Sequence, residues 1–395
     1  MSTLESLTQA ASDSIDKAAT ELNNLSQEIW KKPELNFKEY HAHQVLSDFL
    51  EKHGFNVERH YHLDTAFRAT YGNEDGLNVC VICEYDALPE IGHACGHNLI
   101  AECGAGAGLG IKAAMEAAGK PMGKLTVLGT PAEEGGGGKL NLIEAGVFKD
   151  IDIAMMVHPV NRTNTVRPIA LSIIQMSADF IGKAAHAAYA PWEGINALDA
   201  AVLFYQNMSV MRQQMKTTWR THGVITNGGV KPNIIPEKTR VEYYLRTPTV
   251  SELQVLQGKA KRCAEGAALS TGCTVECKFH TQYNNIVSNR TLANIFQSHG
   301  EALGVKYIAG NIAVGSTDMG NVTYEVPGIH PMYGLATDSV NHSQGFTEAT
   351  GAPEAQEPTL TNAKVMAYTA LEVLYKGEDI MKQIREDFKE DMKIN

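Results

Sequence analysis

Short apolar runs alternate with helical segments in the first part of this chain. Three of the runs are almost entirely apolar, at residues 79–83, 125–128 and 153–157, as expected of strands that are buried on both faces of a sheet. Between the first two lies a segment of small residues, 99–118, with the composition of a helix that packs closely on a sheet. This alternation predicts an α/β fold with a mostly parallel sheet and helices on both of its faces.

The pattern changes in the middle of the chain. From about residue 172, strand-like and helical segments follow one another in the order β-α-β-β-α-β, which is the split-βαβ order of a ferredoxin-like α+β domain. The α/β pattern then resumes and ends with a final predicted helix at 361–375. We therefore predict a parallel-sheet domain formed by residues 1–171 and 285–395, with a second domain inserted at 172–284.

Charge and composition exclude several classes of function. The chain has 395 residues, with 34 Lys and Arg against 45 Asp and Glu, for a net charge of −11. It has no basic block that could pair with phosphates, so we expect no nucleic-acid partner. No run approaches the roughly 20 apolar residues of a membrane span, and the N-terminal sequence lacks the pattern of a signal peptide. The seven cysteines are expected to be free thiols in a reducing compartment, which favours a cytoplasmic protein with no membrane partner.

Groups that can bind metal or transfer protons follow each of the three predicted strands. After the first come Glu84, Asp86 and the His-Ala-Cys-Gly-His motif at 93–97, after the second come Glu133 and Glu134, and after the third comes His158. In an open parallel sheet the carboxyl ends of the strands line the ligand crevice. We therefore expect all three clusters at one edge of the sheet.

The residue types in these clusters are those of a metal site. Cys95 and His97 can both face one ion, and a thiolate with imidazole and carboxylate ligands suits zinc and similar metals. Of Glu133 and Glu134, one can bind a metal while its neighbour takes a proton from water. Taken singly, each feature has a structural explanation, namely a buried cysteine beside a capping histidine, a solvated acidic loop, or a structural histidine. Their expected convergence favours the metal site.

Other readings of these segments fit less well. The run before Lys139 is not a phosphate-binding P-loop, because Glu133 stands where the first glycine belongs and no Ser or Thr follows the lysine. The glycines at 104–110 recur at every second position and do not match G-x-G-x-x-G. A hydrolase with Cys95 as its nucleophile is the weaker alternative, because it leaves the paired glutamates and His158 without a role.

The motifs resemble those of the M20 metallopeptidase and amidohydrolase family, in its aminoacylase-like branch. The matching segments, in chain order, are Cys83-Glu-Tyr-Asp-Ala-Leu-Pro-Glu, the motif at 93–97, Pro131-Ala-Glu-Glu, His158-Pro159, Gly182-Lys-Ala-Ala-His186, Asn233-Ile-Ile-Pro236, Gly315-Ser-Thr-Asp318 and Asn341-His342. The resemblance covers essentially the whole chain. Within the family, residues 222–236 look most similar to the cytosolic dipeptidases that cleave β-alanyl-lysine and related Xaa-Lys or Xaa-Arg dipeptides.

The resemblance implies a two-metal site in the parallel-sheet domain, which would then be a metallohydrolase domain. Its ligands would be Cys95, His97, Glu134, His158 and His342. Zn²⁺ is the expected ion, with Mn²⁺ or Co²⁺ as alternatives, and Cys95 would bridge the two ions. Glu133 would be the general base, and Asp86 would orient a ligand imidazole or the turn that holds it.

The resemblance also assigns roles in the inserted domain, which would be a lid and a dimerisation domain. His186 would stabilise the oxyanion, often from the partner subunit of a homodimer, and Asn233 and Arg246 would bind the substrate carbonyl or carboxylate. Asn98 departs from the pattern, since many amidohydrolase relatives have Asp there, and this favours the dipeptidase-like branch. Asp318 is interpreted as a turn or capping residue.

The sequence thus predicts a metal-dependent hydrolase that cleaves the amide bond of dipeptides with a basic C-terminal residue. The alternative is an N-acyl-amino-acid amidohydrolase, of the aminoacylase or aminobenzoyl-glutamate hydrolase type. A third reading, from a different class, is a catalytically silent binding protein that keeps the fold. The full set of candidate ligands together with Glu133 argues against a protein without catalytic activity, because folding alone does not require these residues.

Overall fold

The computed structural model describes residues 2–308, 313–393 and 395. The chain divides into two compact units, each with its own hydrophobic core. The first unit consists of Met1–Ile169 and Ile286–Ile394, and the second consists of Ala170–Asn285 with Asn395. Among the described residues, none of the helices combines the length and the apolar character needed to cross a membrane.

Helices and strands are numbered in chain order. The helices are α1 (Leu4–Lys31), α2 (Tyr40–Lys52), α3 (His97–Ala118), α4 (Gly138–Glu144), α5 (Ala197–Val210), α6 (Val250–Thr271), α7 (Arg290–Ala302), α8 (Met319–Glu325), α9 (Gln344–Gly351), α10 (Gln356–Lys376) and α11 (Glu378–Met392). The strands are β1 (Asn56–Arg59), β2 (Phe67–Gly72), β3 (Asn78–Glu84), β4 (Lys124–Thr130), β5 (Ile153–Met155), β6 (His158–Asn161), β7 (Ile169–Ala170), β8 (Ser172–Ile181), β9 (Arg220–Asn227), β10 (Lys238–Thr247), β11 (Thr274–Tyr283), β12 (Ala313–Val314), β13 (Gly328–Ile329) and β14 (Met332–Leu335).

The main sheet of the first unit has the strand order β1-β2-β4-β3-β5-β13. Strands β4, β3, β5 and β13 run parallel to one another, while β1 and β2 form an antiparallel edge. Every residue of β3, β4 and β5 is buried, which is why these segments are so apolar in sequence. The predicted mostly parallel α/β fold is confirmed.

Helix α3 lies against this sheet because its small residues allow a close approach. A Cβ atom on Gly104 would lie 2.7 Å from Cys83 Sγ, and one on Gly110 would lie 2.8 Å from Ile15 Cδ1 of helix α1. Both distances are shorter than normal carbon contacts, so larger residues would push the helix away from β3 or from α1. The start of α3 is thereby held close to the end of β3.

The second unit is a four-stranded antiparallel sheet in the order β11-β8-β10-β9. Along the chain its elements follow the order β8-α5-β9-β10-α6-β11, which is the predicted split-βαβ arrangement. Its core is formed by one side of the sheet and by apolar residues of α5 and α6. Along β10, buried residues such as Val241 and Leu245 alternate with more exposed ones such as Tyr244, so that only one face of the strand enters the core.

The C-terminal part of the chain differs from the prediction. The helix predicted at 361–375 is the longer α10, and it is not the final one, because α11 follows it directly. In α11 only Met381 and Ile384 are buried. Its apolar residues Ile380, Met381, Ile384 and Phe388 recur at helical spacing, so the sequence contains the signal for this helix and the prediction missed it.

Candidate metal centre

Two of the predicted clusters begin side by side at the carboxyl ends of neighbouring strands. Glu84 at the end of β3 pairs with Thr130 at the end of β4, so the chain leaves both strands at the same edge of the sheet. His158 begins β6, shortly after β5 ends. All of these residues belong to the first unit, and the parallel sheet brings their loops together as the sequence predicts.

The five predicted ligands form two groups that share Cys95. The first group consists of Cys95, His97 and His158, and the second consists of Cys95, Glu134 and His342. Each residue offers one potential ligand atom, and within a group these atoms all lie within 4.8 Å of one another. Cys95 Sγ lies 3.4 Å from His158 Nε2, and His342 Nε2 lies 3.3 Å from Glu134 Oε1. Cys95 is the side chain that these two groups have in common.

The turn between Cys95 and His97 depends on a glycine. Gly96 has φ of 82°, in the left-handed region, and precedes helix α3, which begins at His97. A Cβ atom on Gly96 would lie 2.5 Å from Pro159 Cγ. Glycine avoids both the strain and the overlap, and the chain can therefore turn sharply enough for Cys95 and His97 to belong to the same group.

Hydrogen bonds donated by Nδ1 orient two of the histidine rings. His97 Nδ1 lies 3.0 Å from Asp86 Oδ1, and His158 Nδ1 donates to the carbonyl oxygen of Pro159 at 2.8 Å. In both rings Nε2 is left facing the group of candidate ligands, an arrangement common in metal sites. Asp86 also accepts a hydrogen bond from the backbone N–H of Glu134, at 2.9 Å, so that one buried carboxylate contacts both a candidate ligand ring and the loop that carries another.

The electrostatics of the pocket favour a cation. Burial and the nearby carboxylate of Glu134 raise the pKa of the Cys95 thiol, so its thiolate needs a positive charge beside it. Burial lowers the pKa of His158 to about 4, which keeps the ring neutral, as a metal ligand must be. Burial also opposes a charge on His97, yet Glu84 and Asp86 outweigh it and raise the pKa of that ring.

These residues fit a divalent metal ion. Among the described residues, the buried His97 Nε2 has no hydrogen-bond partner, and it lies 3.8 Å from carboxylate oxygens of both Glu84 and Glu134. A metal ion would satisfy such an atom, and sulfur, imidazole and carboxylate donors together suit zinc and its neighbours in the first transition row.

Glu133 and Glu134 do not lie in a solvated loop. Glu133 is 8% exposed, and burial together with the carboxylates of Glu84 and Glu134 raises its pKa well above the ordinary range. The glycines that follow let the loop close tightly, since a Cβ atom on Gly138 would lie 2.0 Å from the carbonyl oxygen of Pro131. Glu133 is thus a buried carboxyl with a raised proton affinity, beside the candidate ligands.

Three further residues of the pocket were missed by the sequence analysis or interpreted wrongly. Asp318, interpreted as a turn or capping residue, directly precedes α8 but makes no side-chain capping bond to that helix. It is fully buried, and its carboxylate pairs with the equally buried Lys139 at 2.8 Å. His330 is also fully buried, with its ring centroid 5.7 Å from that of His158. The rule that found the other residues could have found His330, because it follows β13 of the same parallel sheet.

The remaining predicted site residues lie in the second unit. His186 and Asn233 are exposed on neighbouring segments, where the backbone N–H of Ala187 donates to the carbonyl oxygen of Asn233 at 3.1 Å. The ring of His186 accepts backbone hydrogen bonds from two residues that follow it, and this segment is a turn and not the start of a helix. Arg246 lies on β10, with its guanidinium 6.0 Å from the ring centroid of Tyr244. The roles predicted for these three residues stay predictions.

Sequence comparisons connect the chain with known hydrolases. The model of peptidase family M20/M25/M40 matches residues 62–355. The chain is 48% identical to Xaa-Arg dipeptidase of Homo sapiens, in an alignment that covers 98% of this chain and 93% of that protein, and equally so to the Mus musculus enzyme. It is 34% identical to a p-aminobenzoyl-glutamate hydrolase polypeptide of Escherichia coli K12, over 71% of this chain and 62% of that protein.

Solved structures confirm the fold. A dinuclear metal-binding peptidase of the M20 family from Bacillus subtilis superposes with a TM-score of 0.69 at 20% identity, over 91% of this chain and 99% of that one. The aminobenzoyl-glutamate utilization protein from Klebsiella pneumoniae gives 0.69 at 16% identity, over 92% and 98%. The matching family model and the identity to the two dipeptidases show that this chain is a hydrolase that belongs to peptidase family M20/M25/M40.

Proposed function

We propose that this protein is a metal-dependent dipeptidase that hydrolyses dipeptides with a basic C-terminal residue, of the β-Ala-Lys or Xaa-Lys/Arg type. The observation that carries the chemistry is the convergence of five candidate ligands on Cys95, with the buried Glu133 beside them. The preference for a basic residue is supported by the 48% identity to Xaa-Arg dipeptidases over nearly the whole chain.

In this proposal Cys95, His97, Glu134, His158 and His342 hold two divalent ions. Zn²⁺ is the first choice and Mn²⁺ or Co²⁺ the alternatives, because all three accept this donor set. Bound ions of this kind supply Lewis acidity, which polarises a carbonyl and makes water more acidic. Glu133 accepts the proton of the attacking water and delivers it to the leaving amine, and its buried place beside the candidate ligands suits it to this role. Asp86 orients His97 through the hydrogen bond that its carboxylate accepts from Nδ1.

The second domain, at 172–284, would act as a lid and as the interface of a cytoplasmic homodimer. Strand β9 supports an interface role, because it lies at an edge of its sheet and most of its residues are exposed, which leaves backbone groups available for pairing. His186 would stabilise the oxyanion of the transition state. Asn233 and Arg246 would bind the substrate carbonyl or α-carboxylate, for which an amide and a guanidinium are suitable donors.

A second candidate function uses the same chemistry on another substrate. The chain is 34% identical to the p-aminobenzoyl-glutamate hydrolase polypeptide, which favours an N-acyl-amino-acid amidohydrolase as the alternative. The two functions share the metal site and Glu133, and they differ only in the groups that bind the ends of the substrate. They are therefore distinguished by substrate preference and not by metal content.

The chemistry is tested by removing the metal and the base separately. Chelation should abolish hydrolysis of β-Ala-Lys, and Zn²⁺, Mn²⁺ or Co²⁺ should restore it. Glu133→Gln should keep its metal content and lose at least about 10²-fold in kcat, the usual scale for a general base. Glu144→Gln, at the exposed end of α4, is the matched control and should keep wild-type turnover. Near-normal kcat in Glu133→Gln would contradict the assigned mechanism.

A further inference from the structure

A buried ion cluster lies behind the loop that carries Glu133 and Glu134. Lys139 is fully buried, and its ammonium lies 2.8 Å from Asp318 Oδ1 and 3.3 Å from Glu84 Oε2. Among the described lysines it is the only one with no exposed surface. Taking an ammonium out of water is unfavourable unless several partners replace the lost hydration, so a position of this kind indicates a specific role for the charge.

Asp318 holds Lys139 at two points. One carboxylate oxygen accepts from the ammonium, and the other accepts from the backbone N–H of the same residue, at 3.1 Å. Lys139 is the second residue of α4, and Asp318 directly precedes α8. The pair therefore fixes the start of α4, which is where the loop from β4 ends.

The rest of that loop is fixed by two other buried carboxylates. The backbone N–H of Ala132 donates to Glu39 Oε1 at 3.1 Å, and that of Glu134 donates to Asp86 Oδ2 at 2.9 Å. The loop at 131–138 is therefore held at three places by buried carboxylates: at Ala132 before the two glutamates, at Glu134 itself, and at Lys139 after them. At the third attachment the cation is contributed by Lys139 of α4, directly after the loop.

The cation also offsets charge around Glu133. A carboxylate oxygen of Glu133 lies within 4.8 Å of ligand atoms of Glu84 and His97, so Glu133 shares its buried surroundings with a second carboxylate. Two buried carboxylates repel each other strongly at such distances, and a nearby ammonium reduces that repulsion. Burial opposes the charge on Lys139, but Asp318, Glu84 and Glu133 outweigh it and raise the pKa of the amine, which keeps it protonated.

We propose that Lys139 is a positioning residue, whose ammonium and backbone N–H hold the loop at 131–138 so that Glu133 stays in place for proton transfer. Lys139 does not touch the reacting atoms but acts through Asp318 and Glu84. The inference rests on the proposed function, because it assigns Glu133 as the base. Under this proposal, full activity requires a buried cation behind the glutamate pair in addition to the metal ligands and Glu133.

The test compares Lys139→Met, which keeps most of the unbranched side chain and removes its charge, with Lys149→Met at an exposed position of the same unit. Metal content, kcat and KM are measured on β-Ala-Lys, and hydrogen exchange of the 132–139 amides is followed by mass spectrometry in metal-loaded and metal-free protein. Lys139→Met should lose at least tenfold in kcat, with KM within about threefold of wild type and unchanged metal content. Its loop amides should exchange at least tenfold faster. Lys149→Met should match wild type in every measurement.

Removal of one buried charge leaves its partner charge unpaired and can unfold the chain. A second variant therefore removes the partner charge as well. Lys139→Met/Asp318→Asn removes both charges of the pair, and it should fold yet show the same loss of kcat and the same faster exchange. A kcat within about twofold of wild type in either folded variant would overturn the proposal, and so would loop exchange at the wild-type rate. If the wild-type enzyme fails to hydrolyse dipeptides, the proposed function is wrong, whereas the exchange measurement still tests the attachment of the loop.

Discussion

Asp86→Asn tests whether the buried carboxylate beside His97 controls the metal site. Asp86 accepts hydrogen bonds from His97 Nδ1 at 3.0 Å and from the backbone N–H of Glu134 at 2.9 Å. Asparagine has nearly the same shape, but its NH₂ group can donate only, so one of the two donors loses its acceptor. A charge-assisted hydrogen bond contributes about 1.5–3 kcal/mol, which corresponds to roughly 10–100-fold in metal affinity, the usual effect of a group that orients a ligand.

Metal affinity is measured by competition with a chromophoric chelator, and metal content is measured after dialysis. The variant should bind metal 10–100-fold more weakly and regain most of its kcat when metal is supplied in excess. Asp75→Asn, at an exposed loop position, is the control and should bind metal as the wild type does. An affinity for Asp86→Asn within about twofold of wild type would refute the reasoning, because the charge of Asp86 would then have no effect on the site.

Two further predictions concern stability and assembly. Burial and the stacked ring of His60 lower the pKa of His43 to about 4. As the pH falls, the unfolded chain therefore protonates at His43 before the folded protein does. The stability of the fold is unaffected by this group above pH 6.5 and decreases progressively towards pH 4. The difference between the unfolded pKa of 6.5 and the folded value of about 4 corresponds to roughly 3 kcal/mol in the free energy of unfolding. In urea unfolding, the free energy of unfolding of His43→Leu should therefore depend less on pH between 6.5 and 4 than that of the wild type. An equally steep pH dependence would contradict the assignment. For assembly, inactive His186→Ala mixed with inactive Glu133→Gln should regain partial activity if His186 acts across a dimer, and no recovery in verified heterodimers would exclude that role.

The parts of the fold that are set by continuous burial could be predicted from sequence. Strands β3, β4 and β5 are buried at every residue, so their apolar runs are visible without a structure. The shared edge of the sheet then follows from the rule for parallel strands, and it places Cys95, Glu134 and His158 together. The order of elements in the second unit was equally readable, because each strand and helix carries its own periodicity.

Features that depend on contacts between distant segments could not be predicted. Lys139 and Asp318 lie 179 positions apart, and no periodicity connects a lysine after a glycine run with an aspartate before a short helix. Glu39 was missed for the same reason, since its buried carboxylate accepts a hydrogen bond from Ala132 across 93 positions. A buried ion pair is specified by the complete fold, whereas sequence patterns report on local structure and on burial.

The central claim is tested most directly by comparing kcat/KM for metal-loaded protein on a matched set of substrates. The set is β-Ala-Lys, β-Ala-His, Ala-Glu, acetyl-Leu and aminobenzoyl-Glu, all assayed with the same metal and at the same ionic strength. A cationic side chain on the substrate also suits a chain of net charge −11, because opposite charges speed the encounter. The account predicts that β-Ala-Lys has the highest kcat/KM of the set, and higher kcat/KM for acetyl-Leu or aminobenzoyl-Glu would contradict it.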